Sequence, residues 1–140
     1  NGYYPDRLES LINKRLVDKI FLDIKAPLDD YGEYHMLTGL KDAAPRVYES
    51  LRLVLPNGSP MEVRTTVFRY FPDVLEIAKS LTDANCHYVI QQGLPEYSPD
   101  GHIKKEMCLS RNELIDIAKS CHWLKDVRIK TRENGEERII

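Results

Sequence analysis

Segments with the pattern of helices and segments with the pattern of strands alternate along the whole chain. The strand-type segments, which are rich in β-branched and apolar residues, are 17–27, 61–68, 86–93 and 126–132. The helix-type segments, in which apolar residues recur at helical spacing, are 5–16, 46–55, 72–83 and 110–124. Such alternation is typical of parallel βαβ units. The chain therefore predicts an α/β fold in a single domain over residues 1–140, with about four parallel strands alternating with helices.

Local signals predict where some of these segments begin and end. The spacing of a capping box occurs in two pairs, Asp6 with Glu9 and Ser110 with Glu113. Asn134-Gly135 favours a tight hairpin near the end of the chain. Residues 28–45 are polar and are interrupted by glycines, so we expect a loop with short helical turns there. The residues expected to face the core from the first and third helices are Leu8, Leu11, Ile12, Leu16, Leu75 and Ala78.

The composition excludes several classes of function. The net charge is −2 and basic residues are scattered among acidic ones, so the chain lacks the basic patch of a nucleic-acid-binding protein. No apolar run approaches the roughly 18 residues that span a bilayer. Cys86, Cys108 and Cys121 are too far apart for a disulfide framework or a zinc site. We therefore expect a cytoplasmic protein that binds neither nucleic acid nor membrane, and we assign it no metal ligand.

Polar residues stand at the carboxyl end of three predicted strands. In chain order they are Asp23 and Lys25, Arg64 and Thr66, and Gln91 and Gln92. Residues two apart in a strand point to the same face, and parallel α/β sheets bind ligands at the carboxyl ends of their strands. We therefore expect these side chains to form one polar rim, with one of the two glutamines facing it.

The charged pair in the first strand has two interpretations. Phe21 and Leu22 predict a buried strand, and a buried charge is unfavourable unless it is paired or bound to a ligand. Asp23 and Lys25 could pair with each other or with Arg64 and have only a structural role. Alternatively, Lys25 and Arg64 bind the carboxylate of a zwitterionic ligand, while Asp23 binds its ammonium group or sugar hydroxyls. No residue in the chain indicates a particular reaction, so we assign no catalytic residue.

The order and spacing of several motifs resemble one protein family. The motifs are NGYYP, LVDKIFLDIKAPLDD, LTG, EVRTTVF, YVIQQGLP and VRIKTRENGEE. Together they are similar to the C-terminal half of radical S-adenosylmethionine activating enzymes, above all those that activate anaerobic ribonucleoside-triphosphate reductase and pyruvate formate-lyase. The resemblance covers nearly all of the 140 residues and implies the C-terminal half of a partial (β/α) TIM-like barrel.

The resemblance also implies an activity and a set of cofactor-binding residues. In this family of oxidoreductases a [4Fe–4S] cluster cleaves S-adenosylmethionine, and the resulting 5′-deoxyadenosyl radical activates a glycyl radical enzyme. Asp23 and Lys25 match the family's Asp-x-Lys, which contacts S-adenosylmethionine. Arg64 matches an arginine expected near the methionyl carboxylate. The other residues that we assign to the cofactor pocket are Thr66, Gln91 and Gln92.

The chain departs from the family in what it lacks. The cluster motif Cys-x3-Cys-x2-Cys is absent, and so is the Gly-Gly-Glu that holds the amino group of the cofactor. Three close thiolates are needed for such a cluster, so its ligands are not in this chain. We therefore expect the full-length parent to be the enzyme and this part to be inactive alone. We also expect the edge of the first strand to be exposed and to permit homodimer formation.

Two other functions remain open. The chain could be a non-catalytic module from a degenerate relative of the family, which keeps the pocket and binds a ligand or a partner protein without the cluster. It could also be an unrelated α/β hydrolase or an aldolase-type barrel, with Lys25 as a Schiff-base lysine. Cysteines encoded upstream at the family spacing would favour the activating enzyme, and an adduct trapped by borohydride would favour the aldolase.

Overall fold

The computed structural model of this protein describes residues 1–55, 60–98, 101–105 and 107–140. Its helices are α1 (Pro5–Asn13), α2 (Tyr31–Thr38), α3 (Ala43–Val54), α4 (Val74–Lys79) and α5 (Arg111–Ser120). Its strands are β1 (Ile20–Asp23), β2 (Met61–Val67), β3 (Cys86–Gln92), β4 (Val127–Thr131) and β5 (Gly135–Arg138). Short 3-10 turns at Pro95–Tyr97 and Ile103–Lys105 lie between β3 and α5. Among the residues described, no helix has the length and apolar character needed to cross a membrane.

The strands form one sheet in chain order, β1-β2-β3-β4-β5. Strands β1 to β4 are parallel, and β5 is antiparallel to β4. In register, Asp23 of β1 lies beside Arg64 of β2, and Thr66 of β2 lies beside Gln91 of β3. The predicted α/β class with parallel strands is confirmed, whereas the barrel that the resemblance implies stays a prediction.

The helices pack on one face of this sheet. Alternate strand residues, such as Leu22, Val63 and Ile90, are buried in one hydrophobic cluster with Leu51 of α3 and Leu114 of α5. The opposite face, called the open face below, is formed by the residues between them, namely Phe21, Asp23, Glu62, Arg64, Thr66, His87, Val89, Gln91, Arg128 and Lys130. The polar rim predicted at the strand ends therefore belongs to the open face.

Phe21 corrects the expectation that the first strand is buried on both faces. Leu22 is 1% exposed, but Phe21 lies on the open face and is 47% exposed. Its ring centroid is 4.6 Å from Lys19 Nζ and 4.5 Å from Arg64 Cζ. The ring thus packs against two cations rather than against the apolar core.

One predicted helix cap was wrong, and one helix is longer than the short helical turns expected for its segment. Helix α1 begins at Pro5, whose fixed φ suits the first turn, so Asp6 lies inside the helix and cannot cap it. Helix α2 occupies part of the expected loop. Asp30 caps α2 by accepting a hydrogen bond from the Glu33 N–H at 2.8 Å, and Gly39 ends it in the left-handed conformation. These local caps allow a polar segment to form a helix despite its weak apolar pattern.

The buried faces of α1 and α4 also differ from the prediction. Leu11 is 40% exposed, and Leu16, which lies beyond the end of α1, is 65% exposed. In α4, Leu75 is 39% exposed, whereas Val74 and Ile77 are buried. These short helices have more apolar residues than positions that face the sheet. Helical spacing alone therefore does not identify which of the apolar residues are buried.

Two local predictions near the C-terminus are confirmed. Ser110 and Glu113 form a reciprocal capping box at the start of α5. The turn between β4 and β5 contains Asn134-Gly135, and Gly135 has a φ of 70°, which favours glycine. The resulting hairpin pairs Lys130 with Glu136.

The sheet has two unequal edges. Strands β1 and β5 are the two edge strands, and no strand in the described ranges pairs with the outer side of either; β5 differs from β1 in its three charged side chains, Glu136, Glu137 and Arg138. The free backbone groups of an edge strand can pair with another strand. Homodimer formation through β1 stays a prediction.

Candidate functional site

A depression at the carboxyl ends of β1 and β2 brings four of the predicted residues together. Asp23, Lys25, Arg64 and Thr66 line it with apolar residues from α2 and from the connection after β2. Its volume is about 140 Å³. Small-molecule pockets usually measure roughly 300 Å³ or more. The depression is therefore large enough for only part of a nucleotide-sized ligand.

Asp23 and Lys25 form only a loose ion pair. Lys25 Nζ is 4.0 Å from Asp23 Oδ2, and the two side chains are 47% and 46% exposed. Exposed ion pairs of this kind contribute about 0–1 kcal/mol to stability. Contacts with a ligand can therefore replace the contact between Asp23 and Lys25 at little cost. The exposure also disfavours the desolvated setting that a Schiff-base lysine needs.

Arg64 is held by Glu62, a residue that the sequence reasoning missed. Arg64 Nη2 and Nε lie 2.6 and 2.7 Å from Glu62 Oε1, and Lys19 Nζ lies 2.8 Å from Glu62 Oε2. The Glu62 side chain is only 5% exposed. Burial raises the pKa of Glu62, but hydrogen bonds from Lys19 and Arg64 outweigh it and hold the pKa below its ordinary value. The two-residue spacing of Glu62 and Arg64 was the available sequence signal.

Acid is expected to weaken the fold through Glu62. Its folded-state pKa is lower than the ordinary value of 4.5, so its contribution to stability is present above that value and is lost as the pH falls through the folded pKa. We expect the free energy of unfolding, measured with urea from about pH 6 downward, to fall less steeply in Glu62→Gln than in the wild type. Equal slopes in the two proteins would contradict this assignment.

Buried hydroxyl groups hold the backbone that carries the rim. Thr65 Oγ1 donates to the Ile24 carbonyl at 3.0 Å, and Tyr88 Oη donates to Thr65 Oγ1 at 3.1 Å. Thr65 is 1% exposed and Tyr88 0%. From α2, Tyr34 Oη accepts a hydrogen bond from the Lys25 N–H at 3.3 Å, and burial raises the pKa of Tyr34 to about 12. Side chains of α2, β2 and β3 thus fix the two residues that follow β1.

Gln91 and Gln92 have different positions. They line a neighbouring depression, which Thr66 also lines. Gln91 is on the open face, with its Oε1 3.5 Å from Thr66 Oγ1. Gln92 Nε2 donates to the Leu109 carbonyl at 2.7 Å, and its Oε1 accepts from the Arg132 N–H at 2.9 Å. Gln91 therefore extends the rim, whereas the Gln92 side chain joins two connecting segments.

Phe68 and Phe71 add an aromatic wall that the sequence reasoning also missed. Their ring centroids are 5.3 Å apart, and both rings line the depression with Pro72. Between them, Arg69 pairs with Glu113 of α5 at 3.0 Å. The closely spaced aromatic residues of "FRYF" were the available signal. The connection after β2 is thus tied to α5 and presents an apolar surface beside the charged groups.

The cysteines do not fit the cluster that the resemblance implies. Burial raises the pKa of Cys86 and of Cys121 to about 11, and it also raises the pKa of Cys108. An iron–sulfur cluster needs several thiolates close together. In the ranges that the structure describes, no group of three His, Cys, Asp or Glu side chains could hold a metal ion. No chemical step through a cluster can be assigned to the residues of this chain.

Comparison with known proteins provides one informative relative. The chain is 29% identical over 139 residues to a protein of Methanocaldococcus jannaschii whose provisional name is glycyl-radical enzyme activating enzyme. The match covers 94% of this chain and 56% of that protein, so the chain spans little more than half of its relative's length. No family model and no solved structure matches the chain. Over almost its whole length, the chain is therefore similar to part of a protein named as an activating enzyme of glycyl-radical enzymes.

Proposed function

We propose that this chain is the C-terminal part of a cytoplasmic radical S-adenosylmethionine enzyme that activates a glycyl radical enzyme. The observation that carries the proposal is the convergence of a carboxylate, an ammonium group and a guanidinium group at Asp23, Lys25 and Arg64. This combination is complementary to a ligand with a carboxylate, an amino group and ribose hydroxyls. Similarity to the M. jannaschii protein supports the class of partner.

Five residues that line the depression have a proposed role in binding S-adenosylmethionine. Lys25 and Arg64 bind the methionyl carboxylate as ammonium and guanidinium donors. Asp23 accepts hydrogen bonds from the amino group or from the ribose hydroxyls. Phe68 and Phe71 offer an aromatic surface to the adenine. The small volume of the depression is consistent with a ligand that also contacts protein outside this chain.

The [4Fe–4S] cluster is proposed to lie in the part of the parent protein that this chain does not include. When bound, such a cluster supplies the electron that cleaves S-adenosylmethionine. The residues of this chain bind and orient the cofactor, and the parent as a whole performs the reaction.

Binding of S-adenosylmethionine to the chain tests the proposal. We expect isothermal titration calorimetry to show binding, and we expect Lys25→Gln to weaken it roughly tenfold because one hydrogen bond to a charged group is lost. Lys119→Gln, which removes an exposed lysine of α5, is the matched control and should bind like the wild type. Absence of binding, or equal affinity in the wild type and Lys25→Gln, would contradict the proposal.

The parent gene separates the activating enzyme from the non-catalytic alternative. We expect it to encode three cysteines at the Cys-x3-Cys-x2-Cys spacing upstream of this chain. The full-length protein, reconstituted anaerobically with iron and sulfide and reduced with dithionite, should then form 5′-deoxyadenosine from S-adenosylmethionine. A parent that binds S-adenosylmethionine but lacks these cysteines would instead be a binding module.

A further inference from the structure

We propose that Glu62 is a positioning residue, which orients Arg64 so that one edge of its guanidinium group receives the carboxylate of the ligand. The inference rests on the proposed function and names a residue outside the set that contacts the ligand. Both Nε and Nη2 of Arg64 lie on the same oxygen of Glu62, Oε1, at 2.7 and 2.6 Å.

This contact involves the side edge of the guanidinium group but not its end edge. Nε–H and one Nη2–H share the side edge of the planar group, and that edge faces Glu62. Of the remaining three donors, one on Nη1 and one on Nη2 form the end edge, and the second N–H of Nη1 points toward the Cδ side. Two parallel N–H groups at that edge match the two oxygens of a carboxylate. Arg64 lines the depression with Asp23 and Lys25, and its end edge is assigned to the ligand carboxylate there.

Glu62 is itself fixed, which is what a positioning residue requires. Its second oxygen, Oε2, accepts a hydrogen bond from Lys19 at 2.8 Å, and its side chain is 5% exposed. A carboxylate buried between two cations cannot rotate toward water without leaving both of them unpaired. Phe21 supports the arrangement from another side, because its ring lies 4.5 Å from Arg64 Cζ and 4.6 Å from Lys19 Nζ. Arg64 is thus held at one edge by Glu62 and over one face by Phe21.

A merely structural role for Glu62 makes a different prediction from a positioning role. A structural carboxylate would stabilise the fold and affect every ligand equally. A positioning carboxylate acts through Arg64 and therefore affects only ligands that present a carboxylate. S-adenosylmethionine and decarboxylated S-adenosylmethionine differ in that group alone, so the pair separates the two roles.

The test is calorimetric binding of both ligands to the chain and to Glu62→Gln. We expect Glu62→Gln to weaken S-adenosylmethionine roughly tenfold and the decarboxylated analogue less than about twofold. The matched control is Glu137→Gln, which breaks the pair of Glu137 with Arg111 at 2.8 and 2.6 Å and should change neither affinity. Equal weakening of both ligands, or no weakening of either, would overturn the inference.

A measurement without ligand keeps this inference separate from the proposed function. The Arg64 Nε–H resonance in a nitrogen-15 NMR spectrum should be resolved in the wild type, because it is hydrogen-bonded, and should exchange away in Glu62→Gln. If the wild type binds neither ligand, the proposed function fails for this chain, and this resonance alone decides whether Glu62 orients Arg64. A resonance that is unchanged in the variant would overturn the positioning role.

Discussion

Thr65→Val is expected to lower the free energy of unfolding by roughly 2–4 kcal/mol, although the two side chains have nearly the same shape. The change removes a buried hydroxyl that donates to the Ile24 carbonyl and accepts from Tyr88 Oη. Each buried polar group left without its partner costs about 1–3 kcal/mol. Urea denaturation of the purified variant measures the loss, and a difference of under about 0.5 kcal/mol would contradict the prediction.

Two further variants identify the cause of that loss. Thr65→Ser keeps the hydroxyl and removes only a methyl group, so we expect a loss of about 1 kcal/mol. Adding Tyr88→Phe to Thr65→Val removes the stranded phenol, so the double variant is expected to be more stable than Thr65→Val alone, by about 1 kcal/mol. Additive losses in the double variant would show that the two hydroxyls do not act together.

Arg64→Gln is expected to weaken the binding of S-adenosylmethionine roughly 10- to 100-fold. Hydrogen bonds to charged groups contribute about 1.5–3 kcal/mol, which corresponds to this range of affinity. The variant removes the end edge of the guanidinium group that the proposed function assigns to the ligand carboxylate. It also leaves Glu62 with Lys19 as its remaining cation, so the stability of the variant must be measured in parallel.

Arg64→Lys serves as the control for charge. Lysine keeps the positive charge and can pair with Glu62, but it lacks the planar fork. We therefore expect its affinity for S-adenosylmethionine to lie between those of the wild type and Arg64→Gln. Titration calorimetry at two salt concentrations measures both variants. Wild-type affinity in Arg64→Gln would show that the carboxylate binds elsewhere, and the proposed role of Arg64 would be wrong.

Strands β2 and β3 could be predicted closely from the sequence because they are locally distinct, whereas β1 is shorter than the predicted 17–27 and β5 was not predicted as a strand. The β-branched run of β2 and the apolar run of β3 match the structure to within one residue. Helix α2 could not be predicted, since its stability comes from the Asp30 cap and the Gly39 end rather than from an apolar stripe. Phe21 was misplaced because its contacts with Lys19 and Arg64 depend on tertiary packing.

Part of the candidate site was predictable for a topological reason. The carboxyl ends of parallel strands share one edge of the sheet, so Asp23, Lys25, Arg64 and Thr66 were expected together and do line one depression. Glu62 was not predicted: its spacing to Arg64 on the same strand was a weak signal, and its second cation, Lys19, comes from the segment before β1, so its burial between two cations depends on tertiary packing. Gln92 is adjacent to Gln91 at the end of β3, but its side chain binds backbone groups of Leu109, before α5, and of Arg132, after β4. These partners are distant in sequence and could not be predicted from it.

The unequal edges of the sheet have a practical consequence for protein engineering. Strand β5 forms an edge whose side chains Glu136, Glu137 and Arg138 are charged, which disfavours further pairing, so extension of the sheet is expected at the other edge, beside β1. A complementary fragment supplied as a separate polypeptide is therefore expected to dock beside β1. Together with such a fragment, the chain offers a natural division for a split reporter, in which joining of two parts restores a measurable signal.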